Sequence, residues 1–364
     1  MQYRTLGKTG LQVSVIGFGG IKLPEVSTDT AAEALNTALD LGINFIDTAR
    51  SYRDSEAKIG HAVAHRRHEY ILATKSYERS SDGVRRELET SLSLLRTSWI
   101  DLYQLHSVSS EGEWQRVMAP GGALSGARKA REEGLIRHIG LSVHRDLHTM
   151  RKAITCDEFE TIMLCYNAVD SENVGPGILP LARESGKGVI IMKALSGGIM
   201  VSPGFEEGKR AGEEDPLVAL ALRFVAANPN VDVVVTGMRN AAEVRQNARI
   251  GAAPLALSKT EEATLMRMLG ELRATYRYGQ MCLQCGYCQP CPQGVQIPQI
   301  FRAWRIRESY PAELKGMADE IIRNLEGSPA RCEGCGECLK KCPASLDIPR
   351  LLKEAAAALQ LPFA

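Results

Sequence analysis

The segment Asn44-Phe45-Ile46-Asp47-Thr48-Ala49-Arg50-Ser51-Tyr52 sets a carboxylate and a phenol just past a short apolar run. Asn44 to Ile46 read as the end of a buried strand, which puts Asp47 at its carboxyl end and Tyr52 on the loop beyond. Two later runs close in the same way. Tyr70-Ile71-Leu72-Ala73-Thr74-Lys75 ends on a lysine, and Ile100-Asp101-Leu102-Tyr103-Gln104-Leu105-His106 ends on a histidine. Polar groups at the carboxyl ends of successive parallel strands are where an α/β barrel keeps its chemistry. Asp47, Tyr52, Lys75 and His106 therefore form one candidate constellation for acid–base work.

A second chemistry lies in the last quarter of the chain. Cys282-Leu283-Gln284-Cys285-Gly286-Tyr287-Cys288-Gln289-Pro290-Cys291-Pro292 and Cys332-Glu333-Gly334-Cys335-Gly336-Glu337-Cys338-Leu339-Lys340-Lys341-Cys342-Pro343 are two copies of one pattern. The second has the C-x2-C-x2-C-x3-C-P spacing of bacterial ferredoxins; the first is one residue shorter before its last cysteine. Three cysteines two residues apart can wrap one face of a cluster, and the proline-linked fourth turns toward the neighbouring one. This assigns one [4Fe-4S] cluster to Cys282, Cys285, Cys288 and Cys342, and the other to Cys332, Cys335, Cys338 and Cys291. Zinc is the nearest alternative, since paired CxxC units also make tetrahedral sites. Each copy runs on into Ile-Pro and an amphipathic stretch, Gln299 to Arg307 and Arg350 to Leu359, so the tail is an internal repeat. Ala312 to Leu325 also reads as helix. Cys156 and Cys165 lie outside the repeats and read as packing residues.

These groups need a scaffold, and length and composition allow one. At 364 residues the chain exceeds a single barrel of about 250 residues and leaves a separate tail. The expected division is a barrel over 1–275 and an α-helical tail domain over 276–364. With 44 basic and 43 acidic residues, no global field draws nucleic acid or an anionic membrane. The N-terminus lacks the apolar core of a signal peptide and no apolar run reaches spanning length, so a cytoplasmic protein is expected. Cysteines at metal-ligand spacing fit an intracellular setting better than disulfides do.

Tyr3 to Leu11 reads as a hairpin able to plug the barrel floor. Strands are expected at Val13 to Gly17, Asn44 to Asp47, Ile71 to Lys75, Leu102 to His106, His138 to Ser142, Thr161 to Tyr166, Gly188 to Lys193 and Val231 to Thr236. Helical patterns lie between them, among them Ala31 to Leu41, Val84 to Leu95 and Pro216 to Ala227. Eight such units with right-handed crossovers point to a closed (β/α)8 barrel. Val108 to Ala123 fits no regular pattern and reads as a long loop over the mouth. Ser258 to Tyr276 reads as a further helix that closes the barrel.

NFIDTARSY, ATK and QLH, preceded by Gly17-Phe18-Gly19-Gly20, resemble the catalytic segments of the aldo-keto reductases over roughly residues 1 to 275. The resemblance implies that Tyr52 is the general acid, Lys75 and Asp47 its tuning pair, and His106 the group that orients a carbonyl. Physical chemistry agrees with this division. A free phenol titrates near about 10, and a neighbouring ammonium favours the phenolate. The resemblance also implies NADPH or NADH across the barrel top. Gly19, Ser142, Asn167 and Lys193 would contact it, and Gly237, Met238, Arg239, Glu243, Gln246 and Asn247 would lie at its adenosine end. Ser142 matches the position that bonds the carboxamide, and Asn247 the one that meets adenine. Backbone amides where the loop after Thr236 enters a helix, together with Arg239, suit an anion.

Three residues depart from the family's pattern. Met192 stands where an aromatic residue often stacks on the nicotinamide, Met163 where glutamine is common, and Glu243 where a basic residue often grips the 2′-phosphate. With its tail, the chain resembles over its whole length those aldo-keto reductases that carry an α-helical dicluster ferredoxin-like domain. The implied function is reduction of a small-molecule aldehyde or ketone, with the clusters serving a redox protein partner. Hydride moves as an electron pair whereas each cluster passes one electron, and no flavin motif is present. A barrel driven by the clusters with little nicotinamide use, clusters that only brace the tail, and a vestigial barrel that docks a redox partner therefore stay open.

Overall fold

Runs of β-branched and leucine residues of three to eight residues, each followed by an amphipathic stretch, build alternating strands and helices. The structure is a computed structural model that describes residues 1–144, 146–171, 174–198, 200–201, 215–275, 282, 286–309, 315–342 and 346–363. Strands β1 (Tyr3–Thr5) and β2 (Gln12–Ser14) pair antiparallel as the N-terminal hairpin. Eight parallel strands follow: β3 (Ile16–Gly19), β4 (Phe45–Asp47), β5 (Ile71–Ser76), β6 (Ile100–Leu105), β7 (Ile136–Val143), β8 (Thr161–Cys165), β9 (Gly188–Met192) and β10 (Val233–Gly237). They close in chain order, β10 pairing with β3, so no sheet edge remains. The (β/α)8 barrel with an N-terminal hairpin is the architecture expected from the sequence.

Inside the barrel, Phe45, Ala73, Leu102, Met163, Ile190, Val233 and Val235 form one buried layer. Leu6 and Val13 of the hairpin segment join it, with Leu6 wholly inaccessible, so the hairpin does seal the floor. Burying a side chain the size of Phe45 contributes about 2–3 kcal/mol. Because strand side chains alternate, the positions two residues beyond this layer also face inward. Asp47 follows Phe45, Lys75 follows Ala73, and Gln104 and His106 follow Leu102. The polar layer is thus dictated by the apolar layer beneath it.

Several strand bounds shift by one or two residues, β7 for example running Ile136–Val143 instead of His138 to Ser142, and two readings change more. Val13 and Ser14 belong to the hairpin, and the first barrel strand runs Ile16–Gly19 instead of Val13 to Gly17. The reason is pairing, since Val13 and Ser14 face Arg4 and Tyr3 in the hairpin and Ile16 is the first residue to pair with β10. The stretch after β6 is not one long loop, because a helix spans Glu111–Met118. Ser110 caps it by accepting the Glu113 amide at 3.3 Å.

By internal contacts the chain forms two units, Met1–Ala194 with Ala219–Ser258, and Leu195–Val218 with Lys259–Ala364. The second contains helices Lys259–Thr275, Ile297–Ser309, Gly316–Arg323 and Ile348–Ala358. Both repeat helices start at the Ile-Pro pair, where proline's missing N–H costs nothing. Their inner faces, including Ile300, Ala303, Leu351 and Leu352, share one core with Val295 and Met317. Among the described residues no helix is long and apolar enough to cross a membrane.

Candidate functional site

Lys75 Nζ lies 2.6 Å from Asp47 Oδ2 and also donates to the Thr48 carbonyl at 2.7 Å. Asp47 Oδ1 accepts Gln104 Nε2 at 3.1 Å. Burial pushes the Asp47 carboxyl up and the Lys75 ammonium down, and the mutual attraction of the two opposes both shifts. Asp47 accepts from two donors and Lys75 donates to two acceptors, which is the pattern of an ion pair. Gln104 was not singled out from the sequence; its inward register, two residues before His106, was the available signal.

Tyr52 is half-buried on the loop after β4, and Lys75 Nζ stands 5.0 Å from the centre of its ring. The His106 ring meets it edge-on at 6.1 Å between centroids. Tyr77 stacks on the other side of the imidazole, 4.1 Å away and 23° from parallel. The structure therefore gathers Asp47, Tyr52, Lys75 and His106 at one end of the barrel, at the carboxyl ends of β4, β5 and β6.

His106 is buried, and burial followed by the charges of Lys75, His144, Arg79 and Lys193 holds its pKa well below the ordinary 6.5. The folded imidazole thus stays neutral where the unfolded one takes a proton. Stability linked to His106 is complete above about pH 6.5 and falls as pH drops toward the folded value, by up to about 1.4 kcal/mol per pH unit. Thermal melts of the wild type and His106→Asn between about pH 7 and 5 should show a shallower acid loss in the variant. Parallel curves would remove His106 as the source.

The structure gives the remaining sequence candidates the following surroundings. Ser142 is fully buried at the top of β7, where its Oγ accepts the Ser107 amide at 2.7 Å and keeps its own proton to donate. Asn167 donates to the Lys193 carbonyl at 3.3 Å, holding a residue with φ of 58°. Met163 and Met192 both pack on the barrel's inner layer, Met163 fully buried and Met192 partly. At the far end Met238 is buried beside Gly237, Gln246 is half-buried, and Asn247 donates to Thr236 Oγ1 at 3.1 Å.

The expected anion donors there are already engaged. Arg239 pairs with Glu243 at 2.7 Å, and the Arg239 amide donates to the same carboxylate at 2.8 Å. Asn240 Oδ1 caps the amides of Ala242 and Glu243, both at 3.0 Å. Glu243 thus closes off its own arginine, so a 2′-phosphate would have to displace it.

In the second unit, Cys285 lies outside the described residues. Of the other ligand candidates Cys288 is buried, Cys335 exposed, and Cys282, Cys291, Cys332, Cys338 and Cys342 lie between. Gly286 and Gly336 follow the second cysteine of each copy with φ of 73° and 75°. The two repeats therefore share a backbone turn as well as a spacing. Burial pushes the Cys338 thiol up, and Cys332, Cys291 and Cys335 add to the rise as neighbouring thiols. These are the partners assigned to one cluster from spacing, so the thiols fit that group. Among the described residues no three His, Cys, Asp or Glu side chains are gathered for a single metal ion.

The profile of the Aldo/keto reductase family matches residues 15–266, and that of the 4Fe-4S dicluster domain matches residues 281–348. An uncharacterized oxidoreductase of Bacillus subtilis, YqkF, is 27% identical over 285 residues, covering 68% of this chain and 90% of the relative. The L-galactose dehydrogenase of Arabidopsis thaliana is 27% identical over 281 residues, covering 68% and 87%. Among solved structures, the holo form of the aldo-keto reductase AKR11C1 from Bacillus halodurans superposes with a TM-score of 0.61 at 26% identity. That match covers 74% of this chain and 96% of the other.

Proposed function

The chain belongs to the aldo/keto reductase family, and from that premise we propose that it reduces an aldehyde or ketone with a nicotinamide cofactor, Tyr52 acting as general acid. The observation that carries this reading is the Lys75 ammonium, held by Asp47 at 2.6 Å and standing 5.0 Å from the Tyr52 ring. Tyr52 would hand its proton to the carbonyl oxygen as charge develops there, and Lys75 would stabilise the phenolate left behind. Neutral His106 would donate a hydrogen bond to the same oxygen and fix the carbonyl's orientation. Bound, the cofactor would supply the hydride. Ser142 and Asn167 would hold its carboxamide end, near Gly19 and Lys193, with Arg239, Gln246 and Asn247 at its adenosine end. Glu243 would accept ribose hydroxyls of NADH, and NADPH would need Arg239 released from it.

The tail would hold two [4Fe-4S] clusters on the ligand sets given above, and these would exchange single electrons with a redox partner. The proposed boundary between reductase and dicluster domains is 275/276. One experiment addresses both halves: anaerobic addition of NADPH or NADH to protein holding about eight iron atoms per chain, with and without an aldehyde panel. Cofactor oxidation that depends on aldehyde is the expected result. Bleaching of the cluster absorbance by the cofactor alone would link the two centres. Aldehyde reduction by a one-electron donor with neither nicotinamide consumed would favour the cluster-driven alternative, for which Met163 and Met192 leave room.

A further inference from the structure

We infer that Arg79 is a positioning residue for His106, because one guanidinium fixes the backbone on both sides of the ring stack at the barrel mouth. Its Nη2 donates to the His106 carbonyl at 2.7 Å and to the Ser107 carbonyl at 3.3 Å. Its Nη1 donates to the Tyr77 carbonyl at 3.0 Å. Tyr77 and His106 are the two residues whose rings stack at 4.1 Å, so the fork sets the spacing from which the stack is built. A planar fork can reach several carbonyls at once, which a lysine ammonium on a flexible stem does less rigidly.

The backbone at this point needs holding. Ser107 has φ of 54°, a left-handed conformation that costs a non-glycine residue of order 1 kcal/mol. Ser107 is kept there from both sides, its amide bonded to Ser142 Oγ and its carbonyl to Arg79. Arg79 is itself anchored by Glu113 at 3.2 Å, on the helix Glu111–Met118, and Glu113 also accepts the Ser109 amide at 2.7 Å. The guanidinium therefore ties the helix after β6 to the imidazole's own peptide unit.

Arg79 also acts through its charge. The charged or titratable groups around His106 are Lys75 and Tyr52 on one side, Tyr77 and Arg79 beyond β5, His144 after β7 and Lys193 after β9. Glu113 screens Arg79 in part. A cation here keeps the imidazole neutral, so that its N–H remains a donor and its second nitrogen carries no proton.

This inference rests on the reading of His106 as the carbonyl-facing group, but its test does not depend on turnover alone. Full-length protein labelled at histidine is titrated by NMR, with the His106 signal identified through His106→Asn. In Arg79→Gln the His106 midpoint should move up, and kcat/KM for 4-nitrobenzaldehyde should fall about tenfold to a hundredfold. In Arg79→Lys the midpoint should stay low while kcat/KM still falls, since the charge remains and the fork is lost. A folded Arg79→Gln with an unmoved His106 midpoint overturns the inference. If Arg79→Gln does not fold, Arg79→Lys with wild-type kcat/KM overturns it. Should Tyr52 prove dispensable, the His106 titration would still decide the role of Arg79.

Discussion

Tyr52→Phe is expected to lower aldehyde turnover by about two or more orders of magnitude while leaving nicotinamide binding close to wild type. The substitution removes one oxygen from a half-buried ring whose faces are set by Lys75 and His106, so the packing at 5.0 and 6.1 Å survives. What is lost is the proposed proton donor. The measurement is single-turnover reduction with the cofactor affinity determined separately by fluorescence. Loss through binding would appear in the affinity, and loss through chemistry only in the rate. Retained turnover would transfer the acid role away from Tyr52.

Lys75→Met should have two separable effects. Activity should fall at least as far, because the phenolate proposed for Tyr52 would lose its cation. Stability should also fall, by about 3–5 kcal/mol, because Asp47 is left charged and unpaired at 3% exposure. The second effect has a control: Asp47→Asn combined with Lys75→Met removes both charges and should recover most of the lost melting temperature without recovering turnover. A double variant no more stable than the single one would show that packing, not the uncompensated carboxylate, governs the loss. Gln104 sharpens the expectation, since it donates to Asp47 at 3.1 Å and could equally donate to an asparagine oxygen.

Much of this arrangement was legible because strands repeat every two residues. Once Phe45, Ala73 and Leu102 are inward, Asp47, Lys75 and His106 have no other side to face, so three of the four site residues follow from pattern and strand order, whereas Tyr52 sits on a loop that the strand period does not reach. The hairpin boundary was less legible because Val13, Ile16 and Phe18 read as one apolar run, and which of them pairs with Arg4 and which with β10 is settled only in three dimensions. The helix Glu111–Met118 was missed for a different reason. It buries only Val117 fully, and its apolar stripe of Trp114, Val117 and Met118 is a single turn long, too short to stand out. A second local signal was Ser110 followed three residues on by Glu113, a capping-box spacing. Arg79 was illegible because all its backbone partners but Tyr77 and Glu78 come from a segment some thirty residues away. In the tail, the matching Ile-Pro helix starts were legible as a repeat, whereas the thiol neighbourhood of Cys338 required three dimensions.

The sealed floor has a consequence for traffic. With Leu6 and Val13 filling the far end, the barrel is a cul-de-sac, and anything that reaches Lys75 must arrive and depart by the same doorway. Two reactants sharing that doorway cannot pass each other. On the proposed function, whichever settles deeper would enter first and leave last, so the order of binding would trace back to a twelve-residue hairpin, Tyr3–Ser14, at the opposite end of the barrel.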